Sequence, residues 1–303
     1  MGGTIAKSND ILYQNCFDDV QSCRWYGGRM SRQSTPSWRY RHRWPTRLWH
    51  WLNALTIFIM LMSGLMIFNA HPHLYWGKYG ANFDASWLGI GPTPQGGGEL
   101  RIFQAHIPTT GVLGHWRDQH GTVQTRAFPY WATIPGRYSL AGARRWHFLF
   151  AWVLVLGGTA YFVTSLINRH FQRDIAPSRE ELRPTHLWRD IKDHARLRLP
   201  TGEAAAHYNP LQKLAYIGVI FFLIPMMILT GLAMGPGFDA TFPQLLVLFG
   251  GRQSARSIHF LCAFALLAFI IVHLVMVVLA GPIREIGSMI TGWFKLPPPR
   301  RHG

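Results

Sequence analysis

Apolar residues fall into four long runs, at 48–68, 146–167, 214–234 and 258–279, separated by polar or mixed segments. Each run is close to the length a helix needs to cross the hydrocarbon core of a bilayer, about 20 residues. The pattern predicts an all-α integral membrane protein, a four-helix bundle, rather than the soluble domains that 303 residues would otherwise suggest. Pro45 stands at the start of the first helix, where proline is tolerated. Trp44, Trp49 and Trp51 fit an aromatic belt at the membrane interface. Pro225 predicts a kink in the third span.

The segments outside the spans differ in character. Residues 70–142 are rich in Gly, Pro, His and Trp and include the run Gly96, Gly97, Gly98. A connection of that length is usually functional or disordered, and its aromatics predict an extended loop region ordered as a docking surface. Within 178–197, Leu187, Ile191 and Ala195 recur at helical spacing among charges, the pattern of an amphipathic helix lying on a membrane surface. Residues 1–38 are polar and lack the apolar core of a secretory signal, so a disordered N-terminal extension is expected, with Met30 as an alternative to Met1 as the native start. The four-span unit is expected over 39–295 and a basic C-terminal tail over 296–303. No internal repeat is evident, so an inverted-repeat transporter is not supported.

Charge sets the expected orientation. The chain carries 30 Lys and Arg against 14 Asp and Glu, but the arginines flank spans instead of gathering on one soluble domain, which argues against nucleic acid as partner. Arg39, Arg41, Arg43 and Arg47 precede the first span, a larger cluster from Arg169 to Arg198 follows the second, and Arg284, Lys295, Arg300 and Arg301 follow the fourth. With four spans these regions share a side, the cytoplasmic one by the positive-inside rule, which leaves 70–142 and 235–255 periplasmic. Both termini are then cytoplasmic, and the amphipathic helix lies on the cytoplasmic face. Arg144 and Arg145 run against the rule. Cys16, Cys23 and Cys262 form neither a disulfide framework nor a zinc quartet, and without a Cys-x-x-Cys-His motif covalent haem attachment is not indicated.

Histidines carry the candidate chemistry. His259 and His273 stand fourteen residues apart in the fourth span, close to four helical turns, so both rings leave the same face about 21 Å apart. Imidazoles in hydrocarbon are costly without partners. His50 opens the first span at the depth of His273, and His147 opens the second at the depth of His259. The depths sort the four into pairs, His50 with His273 and His147 with His259. Two imidazoles on one iron make a six-coordinate haem suited to electron transfer; the plainer reading is four histidines that hydrogen-bond neighbouring helices. Gly64, fourteen residues after His50, either lets a porphyrin approach the first helix or serves helix packing. His71, His73, His106, His115 and His120 show no recognised metal-ligand spacing and read as loop residues.

Several stretches carry a resemblance. Arg47-Leu-Trp-His50-Trp-Leu-Asn, Arg145-Trp-His147-Phe, Tyr208-Asn209-Pro-Leu-Gln212-Lys213, Leu229-Thr-Gly231 and Gly250-Gly-Arg-Gln-Ser-Ala-Arg-Ser-Ile-His259-Phe together resemble the bacterial cytochrome b561 and nickel-hydrogenase cytochrome b family. That family includes membrane subunits of hydrogenases, formate dehydrogenases and thiosulfate reductases. The resemblance runs from about Arg43 to Trp293. It implies two non-covalent b haems and electron transfer in a respiratory chain between a periplasmic redox subunit, of molybdopterin oxidoreductase or hydrogenase type, and the quinone pool of the bacterial inner membrane. In formate dehydrogenase relatives a similar Tyr-Asn...Gln-Lys segment lies at the quinone site, which points to Asn209 and Gln212; both could equally cap a helix. A haem-free membrane anchor and a self-contained transmembrane reductase are the alternatives.

Overall fold

The computed structural model describes residues 38–81, 84–196 and 208–297. The expectations for 1–37, including Met30, and for the tail beyond 297 lie outside the described residues. Trp38 belongs to a strand, β1 (Trp38–Tyr40), which leads to the first long helix, α1 (Trp44–Phe68). The outer segment follows as strands β2 (His73–Leu74), β3 (Leu88–Pro92), β4 (Gly98–Ile102) and β5 (Ala105–Pro108), then a hairpin of β6 (Trp116–Arg117) and β7 (Val123–Gln124). Helix α2 (Leu140–Ile167) makes the second crossing, and α3 (Pro184–Ala195) is the amphipathic helix expected within 178–197. The third crossing is composite: α4 (Pro210–Ile217), a π-helical stretch over Gly218–Leu223, and α5 (Ile224–Met234). Two short helices, α6 (Pro236–Thr241) and α7 (Pro243–Leu248), precede α8 (Arg252–Ala280); α9 (Pro282–Thr291) and strand β8 (Trp293–Lys295) complete the order.

Each predicted span lies inside one of these helices, and four helices are long and apolar enough to cross a membrane. They start earlier than the apolar runs, at Trp44, Leu140, Pro210 and Arg252, because helical hydrogen bonding continues past the hydrocarbon edge where side chains turn polar. Around the bundle the burial pattern is that of a protein solvated by lipid. Large apolar side chains such as Phe58, Leu156 and Val272 face outward, whereas Thr56, Ser63, Ser165 and Thr230 are buried between helices. Without apolar burial as a driving force, such helices associate through close packing and polar contacts. One close approach is explicit: a Cβ at Gly157 on α2 would come 2.5 Å from the Trp49 ring of α1. The kink expected at Pro225 takes the form of widened turns. Proline lacks an N–H and its ring crowds the carbonyl four residues earlier, and the π-helical stretch immediately before it absorbs that misfit.

The outer segment is more regular than an extended loop. Strands β2 to β5 form an antiparallel sheet in that order, with Leu88 opposite Ile102 and Ile90 opposite Leu100. Their apolar face joins Phe68, Leu74, Ala127 and Phe128 in a core against which Leu65 of α1 and Phe260 of α8 pack. Asn69 locks this module to the helix end, donating to Phe128 O at 3.0 Å and accepting from Phe128 N at 2.7 Å. From α8, Arg256 donates to the His73 and His71 carbonyls, and Ser257 accepts from the Trp87 indole at 3.0 Å. The sheet is therefore a rigid cap on one end of the bundle.

A clasp closes the other, arginine-rich end. β1 pairs antiparallel with β8, and the amides of Arg41 and His42 donate to Gly292 O. Arg41 binds Glu285 of α9 at 3.2 Å with its guanidinium 4.7 Å from the centre of the buried Phe294 ring. Burial pushes the Glu285 carboxyl above its usual range, and Arg41 opposes the shift. His42 is buried here, and burial, reinforced by the Arg41 charge, lowers its pKa to about 4. An imidazole neutral in the fold but free to protonate near pH 6.5 when unfolded stabilises fully above that pH, and the contribution is lost as pH falls from 6.5 through about 4. Replacing His42 with Gln should therefore flatten the loss of thermal stability of the detergent-solubilised protein across that window, by about 1–3 kcal/mol at its acid end. Denaturation midpoints of parent and variant measured from pH 7 to pH 4 check this, and parallel curves would contradict it.

Candidate functional site

The four span histidines meet in the two expected pairs. At the sheet end, His147 of α2 faces His259 of α8, with ring centroids 6.3 Å apart and planes at 59°. Each ring is held from a neighbouring helix by a hydroxyl. Ser63 of α1 donates its proton to Ile59 O at 2.7 Å, so its oxygen is left to accept from His147 Nδ1 at 3.1 Å. Thr230 of α5 donates to Met226 O at 2.6 Å and accepts from His259 Nδ1 at 2.9 Å. Both imidazoles are thereby set in one tautomer, with the proton on Nδ1 and the lone pair on Nε2. The residue after each hydroxyl is a glycine lying against the same ring. A Cβ at Gly64 would be 3.5 Å from His147 Cε1, and one at Gly231 would be 3.5 Å from His259 Cε1.

At the arginine-rich end, His50 of α1 faces His273 of α8, again with centroids 6.3 Å apart, planes at 57°. Here aromatic packing positions the rings. Phe269 stacks on His273 at 6.0 Å, and the Trp51 ring meets His50 edge-on at 5.1 Å. His50 Nδ1 is buried with no hydrogen-bond partner.

This donor set fits haem. An imidazole nitrogen binds a first-row metal at about 2 Å, and the ring adds about 1 Å, so two rings with one metal between them place their centroids roughly 6 Å apart. Both pairs have that spacing. Among the described residues no three His, Cys, Asp or Glu side chains converge as metal ligands. Each pair offers two donors, which suits a metal whose remaining ligands come with a macrocycle.

Asn209 and Gln212 are both engaged in a capping box that starts α4. Asn209 Oδ1 accepts from Leu211 N at 2.8 Å, and Gln212 Oε1 accepts from Asn209 N at 3.1 Å. What these side chains retain for a ligand is the amide nitrogen. Of the outer histidines, His106 pairs with Glu99 at 2.9 Å, while His71 stacks on Tyr75 at 5.8 Å beside Arg256. Ser63, Thr230 and Gly231 were not singled out as site residues from the sequence. A signal existed: Ser63-Gly64 and Thr230-Gly231 are the same hydroxyl–glycine dipeptide in two apolar spans.

The chain is similar to known proteins over most of its length. The family described as prokaryotic cytochrome b561 matches residues 41–292, which include all four histidines and the outer sheet. A protein of Azospira oryzae described as "Putative protein-methionine-sulfoxide reductase subunit YedZ1" is 27% identical over 246 residues, 81% of this chain and 93% of its own length. A "Probable Ni/Fe-hydrogenase B-type cytochrome subunit" of Cupriavidus necator is 24% identical over 264 residues, 84% of this chain and 86% of its own. The "Putative cytochrome YdhU" of Escherichia coli is 35% identical over 91 residues, 29% of this chain. No solved structure matches.

The hydroxyl contacts generate a prediction. Partners of a ligating histidine's second nitrogen typically matter about 10–100-fold for the metal it holds. Ser63→Ala and Thr230→Ala should each weaken retention of haem at the sheet end about tenfold, leaving the signal of the His50/His273 pair unchanged. Haem titration of the stripped protein measures this; parent-like affinity in both variants would reduce the hydroxyls to helix packing.

Proposed function

Because the chain belongs to the prokaryotic cytochrome b561 family, we propose that it is the di-haem membrane subunit that connects a periplasmic oxidoreductase with the quinone pool. At the coarser level it is a membrane cytochrome b of the hydrogenase and oxidoreductase type, a multi-pass electron-transport protein with four membrane helices. The observation that carries the finer reading is the pair of 6.3 Å imidazole facings, one towards each end of α8. His50 and His273 would hold one haem b, His147 and His259 the other. Held by these paired imidazoles, haem b would supply reversible one-electron exchange. Around it the chain keeps water out, presents neutral nitrogens, and fixes the rings so that little reorganisation accompanies a change of charge.

The two ends divide the work. The sheet end, periplasmic by the distribution of arginines, offers the only large folded surface among the described residues outside the bundle, and the redox partner docks there. Relatives described as a "Probable Ni/Fe-hydrogenase B-type cytochrome subunit" and a "Putative protein-methionine-sulfoxide reductase subunit" support a redox enzyme as the partner. Quinone meets the protein at the arginine-rich, cytoplasmic end, near Asn209 and Gln212, whose amide nitrogens can donate to a carbonyl.

Two predictions test this. Acid acetone should extract two haems per chain; a ratio near one would sink the two-haem assignment, and an absent Soret band would favour a haem-free anchor. His147→Ala should remove only the sheet-end haem and His50→Ala only the other, each costing about half of the reduced-minus-oxidised absorbance. For orientation, a reporter fused after Gly303 should be active in the cytoplasm and one inserted at Gly97 in the periplasm. The opposite pattern would place partner and quinone on exchanged sides.

A further inference from the structure

A basic cluster lies where the outer module meets the bundle, and its role in fastening the module accounts for only part of it. Arg256 stands three residues before His259 on α8, about 4.5 Å towards the sheet along the helix axis and about 60° round from it. Its guanidinium is 5.6 Å from the centre of the Phe68 ring, and Phe68 is one turn beyond Gly64 on α1. The cluster thus borders the His147/His259 pair on the side of the outer sheet. Arg256 donates to the His73 carbonyl at 3.0 Å and to the His71 carbonyl, bonds that leave several of its N–H groups unused. Its charge is also uncompensated, since among the described residues no Asp or Glu pairs with it. A half-buried cation at the edge of an apolar bundle is costly without a counter-charge.

The two histidines whose carbonyls it holds are incomplete as well. His71 Nε2 and His73 Nδ1 are both buried without a hydrogen-bond partner, and the two rings are 5.6 Å apart. Neither ring is loosely placed. His71 stacks on the buried Tyr75 at 5.8 Å with planes at 20°, and His73 lies over Gly89 of β3, where a Cβ would come 3.0 Å from its Cδ2. Burial, with the Arg256 charge behind it, holds the His71 pKa below the ordinary imidazole value, so the ring is neutral at neutral pH and has a single N–H to give. A guanidinium with unused donors beside neutral imidazoles with unused nitrogens, and no acid among them, is a receiver for carboxylate. In the site proposed above, carboxylates come with haem b itself, whose macrocycle carries a pair of propionates on one edge. Against apolar helices those propionates need a cation and donors.

We propose that Arg256 and His71, together with His73, hold the propionates of the haem at the sheet end. The proposal rests on the reading of His147 and His259 as haem ligands and adds to it anchoring side chains that bind no iron. It also gives the outer module a part in the site. Both anchoring histidines belong to that module, so it contributes side chains to cofactor binding besides closing the end of the bundle.

The test uses the full-length, detergent-solubilised protein in a His50→Ala background, expressed under haem limitation, so that only the His147/His259 pair takes up porphyrin. It is titrated with haemin and with haemin dimethyl ester, whose esterified propionates carry no charge, and the Soret band reads each affinity. The parent in this background should bind the ester about tenfold or more weakly than haemin. Arg256→Gln should bind haemin about tenfold more weakly and the ester within about threefold of the parent, which removes the discrimination. Arg256→Lys keeps the charge and should regain most of it. His71→Phe keeps the stack on Tyr75 but loses the nitrogen; it should weaken haemin about threefold or more and leave the ester unchanged. Damage to the module's fastening alone would weaken both porphyrins alike. Discrimination undiminished in both Arg256→Gln and His71→Phe would overturn the proposal, and His71→Phe decides alone if Arg256→Gln does not fold. A parent that binds haemin and its ester equally would overturn the propionate anchor and leave the haem reading standing. A parent that shows no Soret band with either porphyrin would overturn both.

Discussion

Four neutral imidazoles inside a lipid-solvated bundle are the constraint on which the rest of the structure depends. An imidazole in hydrocarbon must have its N–H satisfied and its lone pair used, or it costs several kcal/mol. At the sheet end the first demand is met by hydroxyls that have already given their own protons to the preceding helical turn, at Ile59 and Met226. That arrangement requires α1 beside α2 and α5 beside α8 at hydrogen-bonding distance. Because α8 supplies one ring to each pair, its fourteen-residue spacing fixes where along the bundle the other two helices must present theirs. The four crossings are thus indexed to one another by two ring-to-ring distances, more than by apolar fit, which lipid does not reward.

The two ends of the bundle are finished differently. The sheet end is closed: Asn69, Arg256 and Ser257 bind the outer module through hydrogen bonds to its backbone and to Trp87, so the module cannot swing without breaking contacts one turn from His259. At the opposite end the β1–β8 clasp and the Arg41–Glu285 pair hold the chain termini of the bundle together, but the α1–α2 side leaves a cleft. The polar contacts therefore close one end of the bundle completely and leave the α1–α2 side of the other partly open.

Much of this was legible in the sequence because it follows from one-dimensional pattern. Span positions come from run length, and the pairing of His50 with His273 and of His147 with His259 comes from depth along ideal helices, which the 6.3 Å facings match. The outer sheet was not legible. Its strands are short, and alternation such as Leu88-Gly-Ile90 is interrupted by glycine and proline, so periodicity has too few positions to register. The Ser63 and Thr230 contacts were hidden for another reason: serine and threonine in membrane helices commonly bond their own backbone, and only the tertiary arrangement shows what the oxygen then accepts. Asn209 and Gln212 were legible both ways, since Asn-x-x-Gln before an apolar run is also a capping-box pattern, and the structure shows that local use.

Glycine separates packing from cradle. At Gly157 a Cβ would collide with the Trp49 ring at 2.5 Å, so helix packing alone requires glycine there. At Gly64 and Gly231 a Cβ would sit in ordinary van der Waals contact with the facing imidazole at 3.5 Å, so the ring does not require glycine. What the missing side chains spare is the space beside the rings, on the helix faces turned towards the His147/His259 pair. Contact with the rings alone would not predict the same residue at both places, each directly after the hydroxyl that orients a histidine. A flat group lying between the two rings, and needing clearance at its rim on both sides, would. The repeated hydroxyl–glycine dipeptide therefore supports the haem reading independently of the spacing of the histidines themselves.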